Sequence, residues 1–159
     1  MNDAVIDEDS NYSFVAPEKG VYMLECNPKG NKLMLSACNS PFSIAMPEEG
    51  WLALFKPNGV IYFEIPVGIE EFPVEISGEN AETLSATIYI ENKEVASADH
   101  ISAPQIFSIK CKSSDKPRLG SIRLSKAVED ARVKLSSPLL PIFTANKAEL
   151  ITRDARVAP

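Results

Sequence analysis

The sequence predicts an all-β protein: an antiparallel β-sandwich, jelly-roll-like, with one short C-terminal helical turn. Three observations carry that expectation. The first is a stretch over residues 59–90 in which apolar and polar residues alternate at period two. Ile61, Phe63 and Ile65 stand against Tyr62 and Glu64. Phe72, Val74 and Ile76 stand against Pro73, Glu75 and Ser77. Leu84, Ala86, Ile88 and Ile90 stand against Thr83, Ser85, Thr87 and Tyr89. Such alternation sets one side of each strand on a core and leaves the other side wet, as antiparallel sheets allow. The second is punctuation: residues 66–68 and 78–80 break the runs with proline, glycine and asparagine, which supply turn geometry. The third is repetition, because short runs of this kind recur along most of the chain, the spacing of a sandwich or barrel.

Taken in order, residues 1–10 (MNDAVIDEDS) form an acidic leader without the basic start and apolar core of a secretory signal. Either the protein is cytoplasmic or the chain is a segment of a longer parent, extracellular or periplasmic if the parent is secreted; because the leader resembles a linker, the second is the expectation. A first strand is expected at 12–15, then a hairpin of strands 21–26 and 32–38 joined by Asn27, Pro28, Lys29 and Gly30. Cys26 and Cys38 fall at its far ends, and with Cys111 they make an odd number without metal spacing. Buried free thiols are the expectation. Residues 42–45, between Pro41 and Pro47, read as an edge strand or an irregular crossing, since proline cannot donate to a ladder.

Residues 51–55 form a strand that enters the alternating stretch through a turn at 56–59. Beyond it, Glu91, Asn92 and Lys93 make a tight connection to a return strand at 94–98, and residues 99–105 read as a loop holding His100. Residues 106–112 alternate again, with Phe107, Ile109 and Cys111 inward. Strands follow at 119–125 and 131–136. Leu139, Leu140, Ile142 and Phe143 lie in a proline-broken tail and are expected to cap the core. Asn146 and Glu149 have capping-box spacing, which places a helical turn at 146–151. One domain over residues 11–151 accounts for the chain, with 152–159 as a free tail.

Composition narrows function. A net charge of −6 disfavours nucleic acid, whose binding needs clustered Lys and Arg, and polyanions generally, but not neutral ligands or other proteins. No apolar run approaches the roughly 20 residues of a membrane-spanning helix. Catalysis would have to centre on the single histidine, His100, beside Asp99 and Ser97, whereas a triad converges from separate elements. No catalytic residue is assigned. Asp7, Glu8, Asp9, Ser10 and Asn11 offer oxygen ligands but lack the alternate spacing and glycine of an EF-hand loop, so no metal or cofactor is assigned. The pairs Glu48/Glu49 and Glu70/Glu71 read as loop solubility.

What remains is aromatic. Tyr62 and Tyr89 fall on the polar side of their strands, the latter among Thr83, Ser85 and Thr87, and Trp51 at the mouth of a strand adds a third ring. A ring stacks on the apolar face of a pyranose while hydroxyls satisfy its edges, so such a face can bind a neutral glycan. The competing account gives the tyrosines to cross-strand pairing and the tryptophan to the core.

The segment YFEIPVGIEEFPVEISG at 62–78, followed by TLSATIYIENKEVAS at 83–97, resembles jelly-roll modules at the ends of secreted bacterial hydrolases, the galactose-binding-like and pre-peptidase C-terminal domains. The resemblance implies a non-catalytic accessory or binding module. The alternative is a structural sandwich that packs against a neighbouring domain of a parent chain, with no small-molecule ligand.

Overall fold

Leu84, Ala86, Ile88 and Ile90 are all buried, whereas Thr87 and Tyr89 between them are half-exposed. One face of this run therefore sits on a core. In a computed structural model of the chain, which describes residues 42–47 and 50–150, the run is one of ten strands among the described residues. They are β1 (Ile44–Ala45), β2 (Leu52–Phe55), β3 (Gly59–Ile65), β4 (Glu71–Gly78), β5 (Leu84–Ile90), β6 (Lys93–Ile101), β7 (Gln105–Lys110), β8 (Arg118–Ser125), β9 (Asp130–Leu135) and β10 (Ile142–Phe143). The expected leader, the first strand at 12–15, the hairpin with Cys26 and Cys38, Glu48, Glu49 and the tail 152–159 lie outside the described residues.

The pairing is nested. Glu91 and Asn92, with φ of 49° and 68°, turn β5 tightly into β6, as a two-residue hairpin loop with two left-handed positions does. Outward from that turn β4 pairs with β7, β3 with β8, β2 with β9, and β1 with β10, every pair antiparallel. Successive pairs alternate between two layers, giving one sheet in the order β2-β9-β4-β7 and a second in the order β3-β8-β5-β6. A long two-stranded ribbon folded across two layers in this way is a jelly roll. Tyr62 and Thr144 exchange backbone hydrogen bonds of 2.8 and 3.1 Å, which joins the β1/β10 pair to the free side of β3.

The core lies between the sheets. Phe63 of the second sheet meets Phe72 of the first edge to face, with centroids 6.1 Å apart. Around this pair Ile65, Val74, Ile76, Ile88, Ile122, Val133 and Leu135 are almost wholly buried. Leu139 and Phe143 close the core as the tail residues were expected to, with Leu140 and Ile142 half-exposed. Residues 142–143 are also a strand, too short for alternation to reveal. A 3-10 turn, Lys147–Glu149, stands for the expected helical turn; Asn146 caps it by accepting from the Ala148 N–H at 3.1 Å.

Two expectations are corrected. Asp99 and His100 belong to β6 and not to a loop. Strand β6 slips register against β5 in two places, and His100 has a φ of 57°, so the inside/outside alternation that marks a strand is lost there. Glu64, Ser77 and Ser85, expected on wet faces, are only 6%, 5% and 8% exposed. Strand β6 is also the open edge of its sheet. Its bulges, with Lys93, Glu94 and Asp99, oppose pairing with another chain.

Candidate functional site

The outer face of the β3-β8-β5-β6 sheet brings two of the three expected aromatics together. Tyr62 is paired with Ser121, Ser121 with Tyr89, and Tyr89 with Glu94, so the four form one row running across all four strands. Neighbouring strands lie about 4.8 Å apart, which separates the two tyrosines by roughly 10 Å with a hydroxyl between them. Both rings are half-buried. The row below consists of Val60, Arg123, Thr87 and Ser97. This face offers two rings, hydroxyls from Ser121, Thr87 and Ser97, and one guanidinium.

Arg123 is the residue that alternation alone does not single out. Its Cζ lies 5.3 Å from the centroid of the Tyr89 ring, the diagonal neighbour on the same face. Glu94, at the end of the tyrosine row, accepts a 2.9 Å hydrogen bond from the Ser97 hydroxyl. Ser121 and Arg123 both follow the outward phase of β8. Their place beside the tyrosines depends on β8 lying between β3 and β5.

Trp51 does not join them. Leu52 next to it points into the core and pairs with Val133, and Lys134, the outward neighbour of Val133, stands 5.9 Å from the centroid of the indole. Trp51 therefore lies on the outer face of the opposite sheet. There it shares a side of the molecule with Phe55, 55% exposed on β2, and Ile106, 66% exposed on β7.

A second polar cluster lies at the other end of the tyrosine face. The Ser85 hydroxyl donates to Asp99 Oδ1 at 2.5 Å, and Lys126 Nζ is 3.3 Å from the same oxygen. The Ser85 hydrogen bond first, then Lys126, holds the Asp99 carboxyl below the usual carboxylate range. A depressed folded pKa contributes stability that is full above about pH 4 and is lost as pH falls through the lower folded value. The difference in urea midpoint between the natural chain and Asp99→Asn is therefore expected to shrink on going from neutral to roughly pH 2. A difference that stayed constant over that range would show that the carboxylate charge contributes nothing. Ser97, with its bond to Glu94, is not directed at Asp99, so Ser97, Asp99 and His100 do not converge.

Cys111, half-buried, is a free thiol. Its Sγ is 3.4 Å from the Ile69 carbonyl and 3.1 Å from Arg118 Nη2, which also donates to Ile69 O at 3.0 Å. This cluster ties the β7–β8 connection to the one between β3 and β4. Among the described residues no three His, Cys, Asp or Glu side chains gather in a metal-binding group, and no helix is long and apolar enough to cross a membrane.

The fold and face together describe a jelly-roll sandwich with a mixed aromatic and hydroxyl outer face. No family model matches the chain, and no curated protein matches it in sequence.

Proposed function

We propose that the protein is a non-catalytic binding module that holds a glycan on the outer face of the β3-β8-β5-β6 sheet, in the manner of the accessory modules of secreted hydrolases that it resembles. The observation that carries this reading is the row Tyr62, Ser121, Tyr89: two rings in register with a hydroxyl between them on a solvent face. A pyranose lying on Tyr62 exchanges its apolar face for the ring, and its hydroxyls meet those of Ser121 and Thr87.

The test is binding of neutral oligosaccharides by calorimetry. Removing a stacking ring is expected to weaken binding by about tenfold in Tyr62→Ala and again in Tyr89→Ala, with Trp51→Ala unchanged because its ring is on the opposite sheet. Full retention of binding in the two tyrosine variants, or no binding to any member of a broad panel, would overturn the reading.

A second reading, a structural module that packs against a neighbouring domain, draws on Trp51, Phe55 and Ile106 on the opposite face. Under that reading Phe55→Ser and Ile106→Ser would change association with the neighbour while both tyrosine variants left the protein's behaviour unaltered.

A further inference from the structure

We infer that the glycan held on this face carries a carboxylate, and that Arg123 receives it: the ligand class is a glycan containing uronic acid, with a sugar ring on Tyr62 and the acid at Arg123. The inference rests on the glycan reading above and goes beyond it. Tyr89 and Tyr62 are not equivalent platforms. Arg123 Cζ sits 5.3 Å from the Tyr89 centroid, so a sugar at the Tyr89 ring also meets a guanidinium, which one at Tyr62 does not share. A planar guanidinium on a ring spends one face on it and keeps its N–H donors in the plane, where they match the two oxygens of a carboxylate.

Among the described residues Arg123 makes no ion pair. It is exposed, and the two ion pairs among the described residues, Lys126 with Asp99 and Arg132 with Glu79, are made elsewhere. Glu94, the acidic residue of the neighbouring row, is engaged by Ser97. Ser121 lies two residues along β8 from Arg123, and Thr87 is its partner on β5, so a hydroxyl on its own strand and one on β5 adjoin the guanidinium, with Val60 on the β3 side. A carboxylate, a ring and vicinal hydroxyls at this spacing are the features of a uronate within a polysaccharide. Overall charge works in the opposite direction, since a chain of net charge −6 repels a polyanion at long range. Preference for the acid must then arise at contact distance, where a charge-assisted, two-point hydrogen bond exceeds a neutral one.

The experiment compares polygalacturonate oligosaccharides with their methyl esters, which keep the ring and hydroxyls and lose the charge. The natural protein, Arg123→Gln, Arg123→Lys and Tyr62→Ala are titrated at physiological ionic strength, with far-ultraviolet circular dichroism confirming the fold. The acid is expected to bind at least about tenfold more tightly than the ester. Arg123→Gln should abolish that preference, Arg123→Lys should restore only part of it, and Tyr62→Ala should weaken both ligands. Equal affinity for acid and ester in the natural protein, with Tyr62→Ala still weakening both, would overturn the inference and leave the glycan reading intact. An acid preference that survives Arg123→Gln would remove Arg123 from the site. Absence of binding to both forms would overturn the inference, and loss of neutral binding in the wider panel would overturn the glycan reading with it.

Discussion

Phe63→Ala is expected to destabilise the domain by about 3–5 kcal/mol, read as a fall in urea midpoint at unchanged slope. The Phe63 ring is wholly buried, meets Phe72 of the opposite sheet, and lies directly over Gly120, its partner on β8. A Cβ built on Gly120 would stand 2.3 Å from Phe63 Cζ and 2.4 Å from Cε2. The glycine is thus the floor of a slot filled by one aromatic ring, and the two positions are coupled. Gly120→Ala alone should cost about 1–3 kcal/mol, because the ring cannot withdraw from a close-packed core without displacing Phe72. With the ring removed, the added methyl group occupies part of the space it leaves. The double variant Phe63→Ala/Gly120→Ala is therefore expected to be less destabilised than the two single costs added together. Strict additivity would show that the ring and the glycine are not in contact.

Gly78→Ala is expected to cost about 3 kcal/mol, at the upper end for overpacking. Gly78 ends β4, and the connection to β5 folds back over it: Glu82 N–H bonds to Glu79 O at 2.8 Å, and Asn80 and Ala81 have φ of 51° and 66°. A Cβ on Gly78 would fall 1.8 Å from the Glu82 carbonyl oxygen and 3.2 Å from that of Ile101. Both obstacles are backbone, so no rotamer change relieves them. The connection must lift, and the bond from Asp130 N–H to Glu82 Oε2, 2.8 Å long, lifts with it. Gly59→Ala is the control, since a Cβ there meets nothing within 4 Å. It should change stability by no more than about 0.5 kcal/mol. Similar costs at the two glycines would contradict the described path of the β4–β5 connection.

The fold class was readable because most strands here have one dry face. From Ile61 to Ile90 every inward residue named from alternation is buried or half-buried, and Ala131, Val133 and Leu135 are likewise inside. Strand β6 escaped at its second half because its bulges break the period, and β10 because two residues cannot show one. The site was readable in part. Tyr62 and Tyr89 each declare themselves outward within their own strand. That Ser121 stands between them, and that Arg123 reaches the Tyr89 ring, depends on which strands are neighbours and in what register, a property of long-range pairing. Trp51 shows the same gap from the other side. It is outward, but a sandwich has two outer faces, and periodicity does not say which one a strand joins.

The most direct measurement is a chemical-shift titration of the nitrogen-labelled protein with a uronate-containing oligosaccharide, followed at backbone amides and the arginine Nε–H. If the β3-β8-β5-β6 face holds the ligand, saturable shifts will concentrate at Tyr62, Ser121, Tyr89 and Arg123, with Trp51 and Lys134 unmoved. Shifts gathered around Trp51, Phe55 and Ile106, or none at saturating sugar, would contradict it.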